Sequence, residues 1–121
     1  MVIDTNILIA YLKGDADVVA FLSSWRKEGR ALFVSSIIRA EVLALPSLSG
    51  TELNHIKDFL DEFIPVPFDD VLAEKAAALK RLYAMELPDC LIAATALERR
   101  VPLVTRDKQF RKIKELEVIT V

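Results

Sequence analysis

Four acidic residues in this 121-residue chain draw attention by where they fall. Asp4 follows the apolar run Met1-Val2-Ile3, and Asp107 comes shortly after Leu103-Val104. Glu41 lies one turn into the segment that Ser35-Ser36 opens, and Asp89 follows Pro88. The rest of the chain narrows their chemistry. One cysteine and one histidine leave no multi-thiolate zinc site, no internal disulfide and little for a base-activated nucleophile. Any chemistry is therefore expected to run on carboxylates. Carboxylates without His or Cys suit hard cations held by oxygen, Mg²⁺ or Mn²⁺. Mg²⁺ keeps several waters and binds through one or two carboxylates together with substrate phosphates, a description of metal-assisted phosphodiester hydrolysis.

Each acid also has a plain structural use. Asp4 and Asp107 can cap the turns that follow them, and Asp89 suits the positive end of a helix dipole. Glu41 is harder to account for in this way. Its neighbours at spacings of three and four are Ile37, Ile38 and Leu45, so a helix here would turn its charge toward an apolar stripe. Asp89 shares a face with Ile92, Ala93 and Ala96. Buried charge costs several kcal/mol unless it is paired or coordinates a metal. No Arg or Lys is an obvious partner, and a divalent cation is the economical answer.

The elements that must position these acids alternate. Met1-Val2-Ile3, Ala31-Leu32-Phe33-Val34, Pro65-Val66-Pro67-Phe68, Leu103-Val104 and Val118 to Val121 read as strands, the third at an edge because proline cannot donate to a ladder. Helical spacing covers Asn6 to Lys13, Asp17 to Glu28, Ile37 to Leu45, Thr51 to Phe63, Asp70 to about Met85, and Pro88 to Arg99. Gly14, Gly29 and Gly50 are expected where helices stop or turns fall. Trp25, Phe59 and Phe63 are at core spacing, and His55 is expected at the surface or half-buried. Strands alternating with helices imply a three-layer α/β/α sandwich around a parallel sheet of four to five strands. In such sheets ligands bind beyond the carboxyl ends of the strands, where the strand order reverses, and the four acids map to that region.

The length suits one domain spanning 1–121, and a composition 53% hydrophobic excludes disorder. Sixteen Lys+Arg against eighteen Asp+Glu give a net charge of −2, which argues against nucleic-acid binding through bulk basicity. Assigning four acids to one cation site leaves fourteen against sixteen bases, a mildly basic remainder. Arg106, Lys108, Arg111, Lys112 and Lys114 cluster beside Asp107, where they suit phosphate contacts as well as a solvated face. No run approaches the roughly 18 apolar residues of a membrane span, and no signal peptide is visible, so a cytoplasmic setting is expected. A mean hydropathy of +0.32 hints at apolar surface covered by a partner or a second copy.

Four stretches in order resemble the motifs of the PIN-domain ribonucleases, and among them the VapC-type toxins of prokaryotic toxin–antitoxin pairs. They are Val2-Ile3-Asp4-Thr5-Asn6, Ser35-Ser36 with Glu41, Leu87-Pro88-Asp89-Cys90-Leu91-Ile92-Ala93-Ala94-Thr95-Ala96, and Leu103-Val104-Thr105-Arg106-Asp107-Lys108-Gln109-Phe110. The resemblance covers essentially the whole chain. It implies that Asp4, Glu41, Asp89 and Asp107 form an acidic quartet binding Mg²⁺ or Mn²⁺, supported by the polar Thr5, Asn6 and Thr105. It implies an RNA substrate, cleaved by metal-activated water with no covalent intermediate, with Arg106, Lys108, Arg111 and Lys112 as candidate RNA contacts. It further implies a cognate antitoxin and a homodimer. Cys90 stands where the family often has a small residue and is read as packing.

Three other readings are open to the same residues. A receiver-like phosphoacceptor shares the size and the Mg²⁺-binding acids but expects a lysine at the end of its last strand, and Val118-Ile119-Thr120-Val121 has none. A haloacid-dehalogenase-like phosphatase needs an aspartate where Asn6 stands. A non-catalytic module on the same scaffold remains the main alternative, although such domains usually lose one or more of the acids.

Overall fold

A computed structural model describes all residues, Met1–Val121. Its centre is a parallel five-stranded sheet in the order β3-β2-β1-β4-β5, built from β1 (Val2–Ile3), β2 (Phe33–Ser35), β3 (Ile64–Val66), β4 (Leu103–Val104) and β5 (Val118–Ile119). Six helices flank the sheet: α1 (Thr5–Leu12), α2 (Ala16–Lys27), α3 (Ser36–Leu43), α4 (Gly50–Leu60), α5 (Asp70–Tyr83) and α6 (Leu87–Arg99). A short 3-10 helix, Lys108–Lys112, follows β4. This is the three-layer α/β/α sandwich expected from the alternation of apolar runs and helical stripes.

The strands are short and apolar because a parallel sheet covered on both faces has no solvent side. Val2 and Ile3 are completely buried, as are Leu103 and Val104 beside them. β3, which carries Pro65, forms one edge, where the lost donor is tolerated. Side chains fix where the helices begin. Asp15 caps α2, Ser35 caps α3 and Asp69 caps α5 by accepting from backbone N–H groups of the first turn. Gly14 and Gly29 end α1 and α2 with positive φ, as their positions suggested. Gly50 departs from that expectation. It opens α4, because Ser49 and Glu52 form a reciprocal capping box that starts the helix there.

α6 is the central helix. Every residue from Cys90 to Ala96 is buried, and its alanines let it lie close to α5, α3 and β1. Cys90 is packed inside this helix, where burial pushes its thiol up from the usual range. Phe63 is buried, Trp25 and Phe59 are half-buried against the core, and His55 is exposed. Tyr11 stacks on Phe59 with ring centroids 4.9 Å apart. No helix is long and apolar enough to cross a membrane.

The chain order makes one place in the sheet special. From β1 the strands step outward to β2 and β3, and the chain then returns across the sheet to lay β4 on the other side of β1. The strand order therefore reverses between β1 and β4, leaving a crevice beyond their carboxyl ends.

Candidate active site

Asp4 is the first residue after β1 and Thr105 the first after β4, so parallel pairing sets them side by side at the crevice. The Asp4 N–H continues the ladder by donating to the Val104 carbonyl at 3.0 Å. The Asp4 side chain is buried and richly solvated by protein. Its Oδ1 accepts from the Thr5 N–H at 2.7 Å, and its Oδ2 accepts from the Thr105 hydroxyl at 2.6 Å and from Asn6 Nδ2 at 3.1 Å. A carboxylate offers about four lone-pair sites, so one direction is left open. Thr105 is itself fully buried and accepts from Asn6 Nδ2 and the Asp107 N–H. Asn6 Oδ1 in turn accepts from the Arg106 N–H at 3.1 Å. Asp4 thus caps α1 from a position at the crevice.

Asp107 and Asp89 meet on the far side. Asp107 caps the 3-10 helix by accepting from the Gln109 N–H at 3.0 Å. Asp89 sits in the first turn of α6. The Gln109 side chain joins them: Nε2 donates to Asp107 Oδ2 at 2.6 Å and to Asp89 Oδ2 at 3.1 Å. Glu41 approaches from α3, where its Oε1 accepts from the Thr5 hydroxyl at 3.1 Å.

One expectation about these acids is corrected. Glu41 is exposed and Asp89 only half-buried, so neither charge points into the core. α3 ends at Leu43, which takes Leu45 off the helix, and its buried stripe runs through Ile38 and Val42 with Glu41 on its flank. Asp89 lies above the buried Ile92 and Ala93 because it occupies the first turn, at the level of the crevice.

The acids nonetheless feel one another. Burial raises Asp4 above the usual carboxylate range, helped by the charge of Asp107 and opposed by the donors from Thr105, Thr5 and Asn6. Burial likewise raises Asp89, and Asp107 and Asp4 push it further. Although the Glu41 residue is exposed, partial burial of its carboxyl raises it against the Thr5 hydrogen bond, with Asp4 and Asp89 adding to it. Such a set of oxygen donors with unneutralised charge fits a hard divalent cation. As the side chains stand, no three of these acids are grouped tightly enough to hold an ion between them. Their oxygens are engaged with Thr5, Asn6, Thr105 and Gln109 instead.

The basic cluster divides. Arg106 is committed to structure: its guanidinium pairs with Asp15 at 2.9 Å and donates to the Val121 carbonyl at 2.9 Å. Arg111 donates to the Thr120 hydroxyl. Lys108, Lys112 and Lys114 are exposed and extend into solvent. An open groove of about 440 Å³ adjoins Asn6, with Lys13, Asp15 and Arg106 in its walls. Lys13 and Gln109 were not singled out from the sequence. Lys13 carried no signal beyond its charge, and Gln109 could be suspected only from standing two residues after Asp107. The largest cavity, about 500 Å³ between Arg26, Arg30 and Glu62, lies at the opposite, amino-terminal edge of β2 and β3.

Fold and crevice agree with what comparison reveals. Residues 1–116 match the PIN domain, and the chain belongs to the PIN-domain family. Within it the chain is similar to VapC proteins: it is 31% identical over 110 residues to ribonuclease VapC10 of Mycobacterium tuberculosis, covering 87% of this chain and 80% of that one. A toxin–antitoxin complex from Klebsiella pneumoniae contains a chain 30% identical to it, with a TM-score of 0.85 and coverage of 98% and 95%. VapBC2 from Rickettsia felis, bound to a DNA fragment from its promoter, shares the fold at 22% identity, with a TM-score of 0.86 and coverage of 99% and 97%.

Substitutions at two positions test this geometry. Thr105→Val removes the buried hydroxyl that serves Asp4, Asp107 and Asn6, and should destabilise the chain by about 1–3 kcal/mol in urea unfolding, with Thr105→Ser close to wild type. Asp4, Glu41 and Asp89 hold protons more tightly folded than unfolded, so their contribution is fully present below about pH 4 and is lost as pH rises through their raised values. Glu41→Gln keeps the acceptor for Thr5 while removing one charge. In chelator at pH 7 it should raise the melting temperature by a few degrees, a gain that fades toward pH 4; a lower melting temperature at pH 7 would refute the charge crowding.

Proposed function

We propose that this protein is an endoribonuclease that hydrolyses RNA phosphodiesters with Mg²⁺ or Mn²⁺ at Asp4, Glu41, Asp89 and Asp107. The observation that carries the reading is the gathering of four acids from four separate segments at the reversal point of the sheet, three of them with raised proton affinity. Membership of the PIN-domain family and similarity to a protein named as a ribonuclease support it.

The chain's own residues divide the work. Asp4, fixed by three donors, presents its open lone pair to the crevice. Asp89, Asp107 and Glu41 supply the remaining negative oxygens around it. Thr5, Asn6 and Thr105 orient the carboxylates. Lys108 and Lys112, exposed on the 3-10 helix that Asp107 caps, and Lys13, in the groove beside Asn6, are the cations available to steady substrate phosphates without reading sequence. A bound divalent cation supplies the charge that activates a water and stabilises the leaving oxygen. The presence of all four acids disfavours a non-catalytic binding module on this scaffold.

The similarity to chains of VapBC and toxin–antitoxin complexes supports the role of toxin, with a cognate antitoxin as partner, in a chain read as a single domain over 1–121. A homodimer is supported by the exposed Leu82 (74%) and Leu87 (46%), which flank the turn between α5 and α6.

Asp4→Asn and Asp89→Asn should each abolish cleavage of single-stranded RNA by the purified protein while preserving the circular dichroism spectrum, and EDTA should do the same. Full activity in either variant would overturn the site assignment. Leu82→Glu should shift the light-scattering mass from dimer to monomer; an unchanged dimer would place the interface elsewhere.

A further inference from the structure

Gln109 is the one side chain that donates to the carboxylates of two of the four acids. Its amide nitrogen lies between them, 2.6 Å from Asp107 Oδ2 and 3.1 Å from Asp89 Oδ2. Its backbone N–H holds the other oxygen of Asp107 at 3.0 Å. The ion pairs formed by the chain involve neither Asp89 nor Asp107. The partial positive charge of one carboxamide is therefore what these two like charges share.

A cation joining the same two oxygens would need the same space. Mg²⁺ sits about 2.0–2.1 Å from its oxygen ligands, closer than any N–H donor can approach. The facing lone pairs cannot accept from Nε2 and bind a metal at once. Displacement needs little rearrangement. The backbone of the 3-10 helix is anchored by Phe110, which is completely buried, while Gln109 is only half-buried and turns about three side-chain torsions.

We propose that Gln109 is a neutral placeholder for the divalent cation: its amide holds Asp89 and Asp107 together in the metal-free protein and must swing away before a cation can bridge them. Gln109 is thus a positioning residue that sets the cation concentration at which the site fills. This rests on the reading of the site as a metal-dependent nuclease centre.

The test is calorimetric titration of Mn²⁺ into the metal-free full chain, comparing wild type, Gln109→Ala and Gln109→Met, the last keeping bulk without a donor. Each variant should bind Mn²⁺ about tenfold more tightly, since charge-assisted hydrogen bonds no longer have to be broken first. Each should also melt at a lower temperature without metal. Binding by the variants where wild type shows none would support the same conclusion. A lowered melting temperature with unchanged or weaker Mn²⁺ affinity would overturn the placeholder role and leave the metal site standing. Absence of Mn²⁺ binding at millimolar concentration in all three proteins would overturn both.

Discussion

The hydrogen bond from the Thr105 hydroxyl to Asp4, 2.6 Å long and spanning 101 positions of sequence, joins the two strand ends on which the crevice depends. It exists because β1 and β4 are parallel neighbours in register, Ile3 beside Val104, so the residues after them leave the sheet together. Asp4 is nearly as buried as the apolar strand that precedes it. A carboxylate in that position is tolerable only when donors surround it, and the structure provides them from Thr5, Asn6 and Thr105. Loss of this cluster would leave a buried charge unsatisfied and the central strand pair without its terminal tie.

Ordinary capping builds much of the site. Asp4 caps α1 and Asp107 caps the 3-10 helix, each giving one oxygen to local backbone while the other accepts from side chains, Thr105 and Asn6 for Asp4 and Gln109 for Asp107. A capping acid is held within its own turn, so its remaining oxygen points in a direction the backbone fixes. A capping role and a place at the crevice are therefore compatible for the same residue. Asp89 gains a comparable constraint from the first turn of α6, a helix anchored by the buried run from Cys90 to Ala96.

The sandwich, the edge position of β3 and the convergence of the acids were legible because each rests on local pattern: apolar runs, helical stripes, and acids at the ends of strands. The spacing around Glu41 is misleading. Counting apolar neighbours at three and four positions assumed a helix reaching Leu45, whereas α3 stops at Leu43 and the buried stripe passes to one side. Gly50 misled for a related reason, since a glycine after Ser49 and before Glu52 is overruled by their capping box. Gln109 and the Arg106–Asp15 pair lay beyond sequence reasoning altogether. Both depend on which distant segment the fold brings opposite, and an amide or a lone basic residue carries no periodic signal.

The donors that surround the acids are uncharged: hydroxyls of Thr5 and Thr105, amides of Asn6 and Gln109, and backbone N–H groups. That selection has an electrostatic consequence. A guanidinium or ammonium fixed among them would lower the proton affinities of the acids and neutralise the crevice permanently. Neutral donors orient the carboxylates while leaving their charge in place, and burial then raises Asp4, Asp89 and Glu41. Arg106 shows how a cation beside the site in sequence is held elsewhere. It lies between Thr105 and Asp107 in sequence, yet Asp15 and the Val121 carbonyl turn its guanidinium away. The folded chain thus gathers negative charge at the crevice that none of its ion pairs neutralises.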